Sequence, residues 1–271
     1  MSIGTNIKRL REEHKLTQEQ LAEKLGVTYQ AVSSWEREEY RPDTDKLIKL
    51  AAVLDVSLSA IAEDKRGIFK TKETIYNWEH MKTYVKTTAR NYKLSDTLKA
   101  VDYAVEAHEG QKRKRSETPY IYHPLNLACH ALSMGITDDA IIAACMLHDV
   151  VEDCGKTLAE LPVGDEAREL VRLLTHEKTT DSNRDAVMKA YYDVIAANPK
   201  AALVKCIDRC NNLTTMSWGL SRDRIFRMIK ETEAYYPALL KVVKSEAQFN
   251  NAAWLLQYQI ESMLDIYKRL M

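Results

Sequence analysis

Residues 147–153 read LHDVVED and place one imidazole and three carboxylates within a few positions of one another. On a helix, His148 and Glu152 are spaced i, i+4 and share one face. The residues before them, AIIAACML, form an apolar run that predicts a buried segment. Ionised carboxylates are costly in such surroundings unless a positive charge balances them. We therefore expect this stretch to hold a cation.

Two further side chains of the metal-ligating type stand in other predicted helices. They are His123, in the sequence YIYHP, and Asp208, in the sequence VKCIDRCNNL. Taken singly, His123 before a proline is more often a cap or turn residue, and Asp208 is more often a solvated helix residue. Together with the adjacent pair His148 and Asp149 they form the pattern H…HD…D, which predicts a metal site. Imidazole and carboxylate ligands suit Mn²⁺, Fe²⁺, Zn²⁺ or Mg²⁺, with water in the open positions.

Polar groups near the predicted metal ligands are placed to act on a substrate. Glu152 and Asp153 follow Asp149 by about one helical turn, close enough to hydrogen-bond a metal-bound water. The basic run KRKR, residues 112–115, lies shortly before His123. Alone, such a run is a solvated face or a nucleic-acid-binding patch. Beside a metal motif, its side chains favour the binding of substrate phosphates.

The composition fits a globular protein and narrows the function classes. At roughly 150 residues per domain, a chain of 271 residues suggests about two domains. Lys+Arg and Asp+Glu both number 39, so the net charge indicates neither nucleic acid nor a membrane as partner. The chain has no membrane-length apolar run and no apolar signal segment after its first residues, and we expect it to be cytoplasmic. Its 5 cysteines lack C-x-x-C spacing, which favours reduced thiols over disulfides or structural zinc.

The elements that must position these groups are helices. Helical periodicity runs through nearly the whole chain and strand patterns are missing, which predicts an all-α fold. Residues 1–63 form a set of short helices with tight turns, residues 64–74 lack periodicity and form a linker, and residues 75–271 form a second helical domain. We predict the helices of that domain at residues 75–91, 95–110, 123–134, 137–151, 165–176, 184–197 and 200–216, followed by a long helical tail over residues 222–270.

The N-terminal zone carries its own helix signals in LTQEQLAEKLGVTYQAVSSWERE. Thr17 and Gln20 have the spacing of a capping box, and Thr28 caps the next helix. Gly26 ends the first of the two helices, so they meet at a steep angle. Ala31, Val32 and Trp35 are expected to face inward, and Tyr29, Gln30, Ser33 and Ser34 outward.

This pattern resembles the lambda-repressor/Cro-type helix-turn-helix over residues 3–61, a five-helix domain. The resemblance implies that residues 28–37 form the recognition helix in the DNA major groove. The DNA-contact candidates are Gln18, Thr28, Tyr29, Gln30, Ser34, Arg37 and Arg41. Residues 1–65 contain 10 Lys+Arg and 12 Asp+Glu, a net charge of 10 − 12 = −2, although phosphate binding normally needs positive charge. Two interpretations stay open: a homodimer that reads a palindromic DNA operator, and a docking or dimerisation module without DNA.

A second resemblance covers about residues 94–217. The segments AHEGQKRKRSETPYIYHP, LHDVVED and LVKCIDRCNNLTTM resemble the HD hydrolase domain of RelA/SpoT-type enzymes. Those enzymes remove the 3′-pyrophosphate from the guanosine nucleotides (p)ppGpp with Mn²⁺. The segment RCNN that follows Asp208 differs from the usual sequence of this family at Cys210 and Asn211.

Position by position, this resemblance implies roles for individual residues. His123, His148, Asp149 and Asp208 would hold the metal, while Glu152 and Asp153 would orient and activate the attacking water. The implied substrate-binding residues are Arg113, which packs against guanine, together with Lys112, Lys114, Asn212 and Thr215. A metal lowers the pKa of bound water and polarises a phosphoryl oxygen, and carboxylates manage its proton, so the chemistry agrees with these roles.

Two other functions remain open from the sequence. The same metal site would serve a phosphatase for another phosphorylated nucleotide, such as NADPH. Alternatively, the protein is a transcription regulator whose HD domain only senses a nucleotide, although a receptor has no need of a water-activating Glu152. The 271 − 217 = 54 residues after Ser217 are too few for a synthetase domain, so we expect a hydrolase without one.

Overall fold

The structure, a computed structural model, describes residues 3–56, 58, 61, 77–113, 117–176, 184–218 and 220–270. The chain divides into two compact units, Met1–Lys72 and Glu73–Met271. The predicted linker, residues 64–74, lies outside the described residues, as does Lys114. The predicted domain limits at residues 63 and 75 fall outside them too and stay predictions.

Four short helices build most of the described part of the N-terminal unit. Their bounds are Ile3–Glu13 (α1), Gln18–Leu25 (α2), Tyr29–Glu36 (α3) and Thr44–Val53 (α4). The predicted caps are confirmed, because Thr17 Oγ1 accepts the Gln20 N–H at 3.2 Å and Thr28 Oγ1 accepts the Ala31 N–H at 3.2 Å. Gly26 ends α2 with φ of 68°, a left-handed conformation that costs glycine little. The predicted fifth helix falls largely on residues outside the described part of the chain.

A buried carboxylate ties three of these helices together. Arg11 Nε lies 2.6 Å from Glu36 Oε1, and both side chains are nearly covered. Gln18 Nε2 donates to the other oxygen of Glu36 at 2.7 Å. Ser33, which we expected to face outward, is buried; that prediction is wrong because α3 packs against both α1 and α2, which widens its covered face.

The C-terminal unit is a bundle of helices around one apolar core. Its helices are α5 (Trp78–Asn91), α6 (Ser95–Ala107), α7 (Tyr122–Ser133), α8 (Asp139–Leu147), α9 (Val150–Asp153), α10 (Asp165–Leu174), α11 (Arg184–Ala196), α12 (Pro199–Thr215), α13 (Arg222–Ser245) and α14 (Asn250–Leu270). Every residue of α8 after Asp139 is buried, as expected for a helix that is apolar on all sides. It packs against α6, α7, α10 and α12. The Asp139 carboxylate accepts the N–H groups of Asp96 and Thr97 at 2.9 and 2.8 Å, so it caps α6 and fixes α8 beside it.

The predicted helix 137–151 is divided in the structure, and the predicted helical tail 222–270 consists of more than one helix. The segment 137–151 consists of α8 and α9, with His148 and Asp149 at the junction. The segment 222–270 consists of α13 and α14, separated by a short turn whose Phe249 is buried in the core. Periodicity missed both junctions because the apolar spacing continues across them. All-α architecture itself is confirmed, since the described residues contain helices and one isolated bridge between Lys112 and Pro119.

The helix α12 lies in the centre of the unit and contacts α7, α8, α10, α11, α13 and α14. Arg209 on α12 forms an ion pair with Glu231 on α13, and Tyr192 Oη donates to Glu231 Oε1 at 2.8 Å. The Arg209 guanidinium also lies 4.7 Å from the centroid of the Tyr236 ring. These contacts anchor α13 to the residue next to Asp208.

Two further findings complete the description of the fold. Over the stretches that the structure describes, no helix has both the length and the apolar character that a membrane span requires. The cysteines at positions 129, 145, 154, 206 and 210 are free thiols.

Candidate active site

Three helical regions bring the four predicted metal ligands together. His123 lies in the first turn of α7, His148 and Asp149 lie at the junction of α8 and α9, and Asp208 lies in the middle of α12. Both imidazoles and the Asp208 side chain are buried, whereas the Asp149 side chain is 21% exposed. The group is therefore open to solvent on the Asp149 side. Because the predicted 137–151 helix is divided at this junction, the adjacent side chains of His148 and Asp149 both face the site.

The separations between the ligand atoms fit one divalent ion. His148 Nε2 lies 3.1 Å from Asp149 Oδ2, and His123 Nε2 lies 3.5 Å from the same oxygen. Asp208 Oδ1 lies 3.3 Å from His123 Nε2 and 3.9 Å from His148 Nε2. Ligands held about 2.1 Å from a shared metal are roughly 3.0 to 3.4 Å apart when they are neighbours. His123, His148 and Asp149 accordingly form a group that can hold a metal.

The other nitrogen of each imidazole is occupied, which leaves Nε2 as the metal-binding atom. His148 Nδ1 donates to the backbone carbonyl of Cys145 at 3.1 Å. His123 Nδ1 lies 2.6 Å from Asn211 Oδ1 and donates to it. Each Nε2 thus presents a lone pair toward carboxylate oxygens, and His148 Nε2 has no hydrogen-bond partner among the described residues. Lone pairs facing anionic oxygens repel one another unless a cation lies between them, so the residues present fit a divalent metal.

The charges around the site also favour a bound cation. Burial lowers the pKa of His148, but the carboxylates of Asp149 and Asp208 outweigh it and raise the pKa to about 9, so without a metal Nε2 carries a proton and its lone pair becomes available when a metal displaces that proton. Burial also opposes ionisation of Asp208, yet Lys205 and the two histidines hold the pKa of that carboxyl well below its usual range. Both carboxylates are therefore ionised, and the site attracts positive charge.

The predicted catalytic carboxylates have different surroundings. Tyr120 Oη lies 2.7 Å from Asp149 Oδ2 and 2.9 Å from Asp153 Oδ2, so its single hydroxyl proton is shared between the two carboxylates. Glu152 Oε1 accepts the backbone N–H of His176 at 2.8 Å. Burial and the two Asp carboxylates raise the pKa of Tyr120, so its hydroxyl keeps its proton and acts as a donor.

The predicted substrate-binding residues make different contacts in the structure. Arg113 Nη2 donates to Thr215 Oγ1 at 3.2 Å, and Arg113 Nη1 is buried without a partner among the described residues. Asn212 Nδ2 donates to Asp208 Oδ1 at 2.6 Å, so Asn212 supports a metal ligand directly. Lys112 is exposed and paired with Glu117. Lys114 lies outside the described residues.

Sequence reasoning missed three side chains that contact the site. Tyr120 bridges Asp149 and Asp153, Asn211 holds His123, and Lys205 Nζ lies 3.2 Å from Asp208 Oδ2. The i, i+3 spacing of Lys205 and Asp208 on one helix was an available signal. No local signal identifies Asn211, because its partner lies 88 residues earlier in the chain.

We expect the substitution Asn211→Leu to weaken metal binding about 10–100-fold while leaving the fold intact. The carboxamide fixes the ring orientation and tautomer of His123, and leucine has a similar volume but no acceptor. Calorimetric titration of the metal-free protein with Mn²⁺ measures the effect. Asn251→Leu, at an exposed position on α14, is the control. Equal affinities of wild type and Asn211→Leu would show that the contact does not support the metal.

The DNA-contact candidates of the N-terminal unit differ in their exposure to solvent and in their contacts. Tyr29 and Gln30 at the start of α3 are exposed, as are Thr28 and Arg41, whereas Ser34 is half-buried and donates to the Ala31 carbonyl at 2.9 Å. Arg37 pairs with Glu39 at 3.0 Å. Gln18 is engaged with Glu36, as described above.

Comparison with known proteins identifies both units. The family model of the helix-turn-helix matches residues 7–61, and that of the HD domain matches residues 100–239. A buried H…HD…D group on a helical scaffold defines the class of metal-dependent HD phosphohydrolases. The chain belongs to the HD-domain family, in the branch of the guanosine-3′,5′-bis(diphosphate) 3′-pyrophosphohydrolases.

Individual relatives place the chain in this branch. Guanosine-3′,5′-bis(diphosphate) 3′-pyrophosphohydrolase MESH1 of Mus musculus is 39% identical over 127 residues, which are 44% of this chain and 69% of that protein. The bifunctional (p)ppGpp synthase/hydrolase SpoT of Escherichia coli is 30% identical over 176 residues, 60% of this chain and 24% of that protein. The solved structure of a metazoan ortholog of SpoT has the same fold, with a TM-score of 0.51, 22% identity, and coverage of 64% of this chain and 96% of that one. Both resemblances drawn from the sequence are confirmed.

Proposed function

We propose that this protein is a Mn²⁺-dependent hydrolase that removes the 3′-pyrophosphate from (p)ppGpp. The observation that carries the proposal is the convergence of two imidazole Nε2 atoms with Asp149 and Asp208, each Nδ1 being occupied by a protein acceptor. Proteins similar to this chain are named guanosine-3′,5′-bis(diphosphate) 3′-pyrophosphohydrolases or, for SpoT, a bifunctional (p)ppGpp synthase/hydrolase. A mixed set of imidazole and carboxylate ligands with open positions suits Mn²⁺.

The residues around the metal ligands have the chemistry that hydrolysis of a phosphate ester needs. When bound, the metal lowers the pKa of water and polarises a phosphoryl oxygen. Glu152 or Asp153 accepts the proton of the attacking water as its oxygen bonds to phosphorus, and the bond from phosphorus to the 3′-oxygen breaks. A proton returned to the 3′-oxygen completes the release of pyrophosphate. Tyr120 keeps the Asp149 and Asp153 carboxylates in a fixed orientation throughout.

The substrate's base and phosphates require a separate set of contacts. Arg113 is held by Thr215, and its planar guanidinium can stack on guanine while its charge offsets nearby phosphates. The buried, unpartnered Nη1 supports this role, because such a group is costly unless a ligand satisfies it. Lys112 and Lys114 belong to the same basic run and supply charge for the remaining phosphates.

A substrate screen tests the proposal. Metal-depleted protein reloaded with Mn²⁺ is expected to release pyrophosphate from ppGpp, and metal analysis is expected to find about one ion per chain. Zn²⁺, Fe²⁺ and Mg²⁺ are compared in parallel, as is phosphate release from NADPH. If NADPH is hydrolysed in preference to ppGpp, the protein is still a phosphohydrolase but its substrate is a different nucleotide. If a nucleotide binds but the protein hydrolyses it with none of the four metals, the HD domain is a nucleotide sensor and not an enzyme.

We further propose that the N-terminal unit binds a DNA operator, with the protein acting as a homodimer in the cytoplasm. The match to the helix-turn-helix family and the exposed start of α3 support this role. In such domains the first residues of the recognition helix reach base edges, and paired helices read two half-sites. The net charge of −2 over residues 1–65 implies that base contacts must contribute strongly to affinity.

Gln30→Ala is expected to weaken binding to the protein's own upstream DNA about tenfold or more, since a carboxamide that contacts a base contributes roughly 1–3 kcal/mol. Fluorescence anisotropy at several salt concentrations measures this loss. Gln248→Ala, the same change at an exposed position of the C-terminal unit, serves as control. If the wild type fails to bind DNA even at low salt, the unit is a docking or dimerisation module.

A further inference from the structure

The helix α13 is strongly basic, although the chain as a whole has no net charge. It contains 6 Lys and Arg residues and 3 Asp and Glu residues, a net charge of 6 − 3 = +3. Two of the three carboxylates are occupied by cations of other helices, because Glu231 pairs with Arg209 and Glu233 pairs with Lys268. The cations of α13 therefore outnumber the carboxylates of the helix that remain to pair with them.

Four of these cations form one exposed face, which we call the basic face: Arg227, Lys230, Lys241 and Lys244. Successive helical residues are rotated by about 100°, so all four lie within about 100° of one another around the axis. The opposite side of α13 is buried in the core, at residues such as Tyr236 and Val243. None of the four cations forms an ion pair with a described residue. Their charges are therefore available to a partner in solution.

The basic face does not belong to the hydrolytic site. Asp208 lies on α12, and α13 packs against that helix through its buried side, where the Tyr236 ring contacts Arg209. The basic face lies on the other side of α13. Its cations accordingly point away from the helix that carries Asp208 and are not placed to bind a nucleotide there.

The four cations form two pairs along the helix axis. Arg227 and Lys230 are separated from Lys241 and Lys244 by residues 234–240, which carry no charge. With a rise of 1.5 Å per residue, the midpoints of the two pairs are about 21 Å apart. The major groove of B-DNA is about 12 Å wide and has a phosphate backbone along each edge. Because Lys and Arg side chains are long, the two pairs can contact the backbones on both sides of one groove.

Other features of the chain favour DNA over a membrane as the partner. A helix that binds at a membrane surface inserts its apolar face among the lipids, and the apolar side of α13 is already buried in the protein core. The N-terminal unit, which we propose to bind DNA, has a net charge of −2 over residues 1–65 and attracts phosphates weakly. A DNA-binding chain of this kind needs cations elsewhere, and the basic face provides them.

We propose that the basic face of α13 binds the phosphate backbone of duplex DNA without regard to base sequence. The choice of duplex DNA rests in part on the proposed function of the N-terminal unit, whereas the charge of the face does not. The basic face then supplies affinity for DNA of any sequence, and base contacts from α3 supply the sequence preference.

Fluorescence anisotropy tests the proposal, with the full chain and a labelled duplex of random sequence, about 30 base pairs long, at about 50–200 mM salt. The basic-face variant carries Arg227→Gln, Lys230→Gln, Lys241→Gln and Lys244→Gln. Each phosphate contact contributes about 0.9 to the slope of log affinity against log salt concentration, so the slope should become shallower by about 3. The affinity at the lowest salt concentration should fall about tenfold or more.

A control variant removes the same number of positive charges from other exposed positions of the C-terminal unit. Its substitutions, on α5, α6, α10 and α11, are Arg90→Gln, Lys99→Gln, Arg172→Gln and Lys189→Gln. The control should keep the wild-type slope and affinity. Thermal unfolding followed by circular dichroism shows whether each variant is folded. Should the basic-face variant fail to fold, Arg227→Gln with Lys230→Gln alone should give about half the change in slope.

Three results would overturn the inference: the wild type binds no duplex at low salt, the basic-face variant binds DNA like the control variant, or both variants lose the same affinity. Vesicles of phosphatidylcholine and phosphatidylserine provide a further test. A basic-face variant that keeps its affinity for DNA and no longer binds these vesicles would identify a membrane surface as the partner instead.

The variant Gln30→Ala separates this inference from the proposed role of α3. If α3 does not contact bases, Gln30→Ala should bind the protein's own upstream DNA like the wild type, while the basic-face variant still shows the shallower salt dependence. If only α3 binds DNA, Gln30→Ala should lose affinity for the upstream DNA, and the basic-face variant should behave like the control variant.

Discussion

Replacing Asp149 by asparagine is expected to lower pyrophosphate release from ppGpp by about 10³-fold, or roughly 4 kcal/mol of transition-state stabilisation. The substitution keeps the size of the side chain and removes one anionic oxygen that lies 3.1 Å from His148 Nε2 and 3.5 Å from His123 Nε2. Metal content should fall together with activity, because a neutral amide is a much weaker ligand for Mn²⁺. Pyrophosphate assays and elemental analysis of the same preparation measure the two effects.

The control for this experiment is Asp165→Asn. Its carboxylate is fully exposed at the start of α10, where it pairs with Arg168 on the surface. This variant removes the same charge and should retain wild-type activity and metal content. Full turnover by Asp149→Asn would rule out the metal centre described here.

Glu152→Gln is expected to lower kcat by about 10²–10⁴-fold, the range for loss of a general base. In contrast to Asp149→Asn, it should leave the metal content unchanged, because Glu152 is not among the converging ligand atoms. Glutamine can still accept the backbone N–H of His176, so the local structure is preserved. Steady-state kinetics on metal-loaded protein, with Mn²⁺ measured in each sample, separate the two kinds of loss.

Glu169→Gln is the matched control, since that exposed carboxylate on α10 pairs only with Arg172 among the described contacts. If Glu152→Gln keeps its kcat while the corresponding Asp153→Asn loses it, proton transfer belongs to Asp153, whose position is fixed by Tyr120. Unchanged kcat in both variants would exclude the acidic pair from catalysis.

The sequence was sufficient to predict the features that depend on local chemistry. The capping box at Thr17, the glycine end of α2 and the helical nature of the described residues follow from short-range preferences. The four ligand types in order along the chain were also enough to predict a metal site. What local patterns could not supply was the division of 137–151 at His148 and Asp149, because the apolar spacing runs through it without interruption.

Contacts between distant residues were also beyond the reach of the sequence. Asn211 looked like a departure from the family pattern, yet it holds His123 through a hydrogen bond across 88 positions. Asn212 was predicted to line the nucleotide pocket, and the structure places its amide on Asp208. Ser33 illustrates the same limit in the N-terminal unit, since its burial depends on a third helix that packs beside it.

The ion pair between Arg209 and Glu231 bears on how short a working catalytic fragment can be. A fragment truncated before Glu231 would leave the Arg209 guanidinium inside the protein without its counter-charge, directly beside Asp208. Such a loss is costly, because a buried cation that has lost its partner destabilises its surroundings. A minimal hydrolase cut from this chain must therefore retain α13, even though no metal ligand lies on that helix.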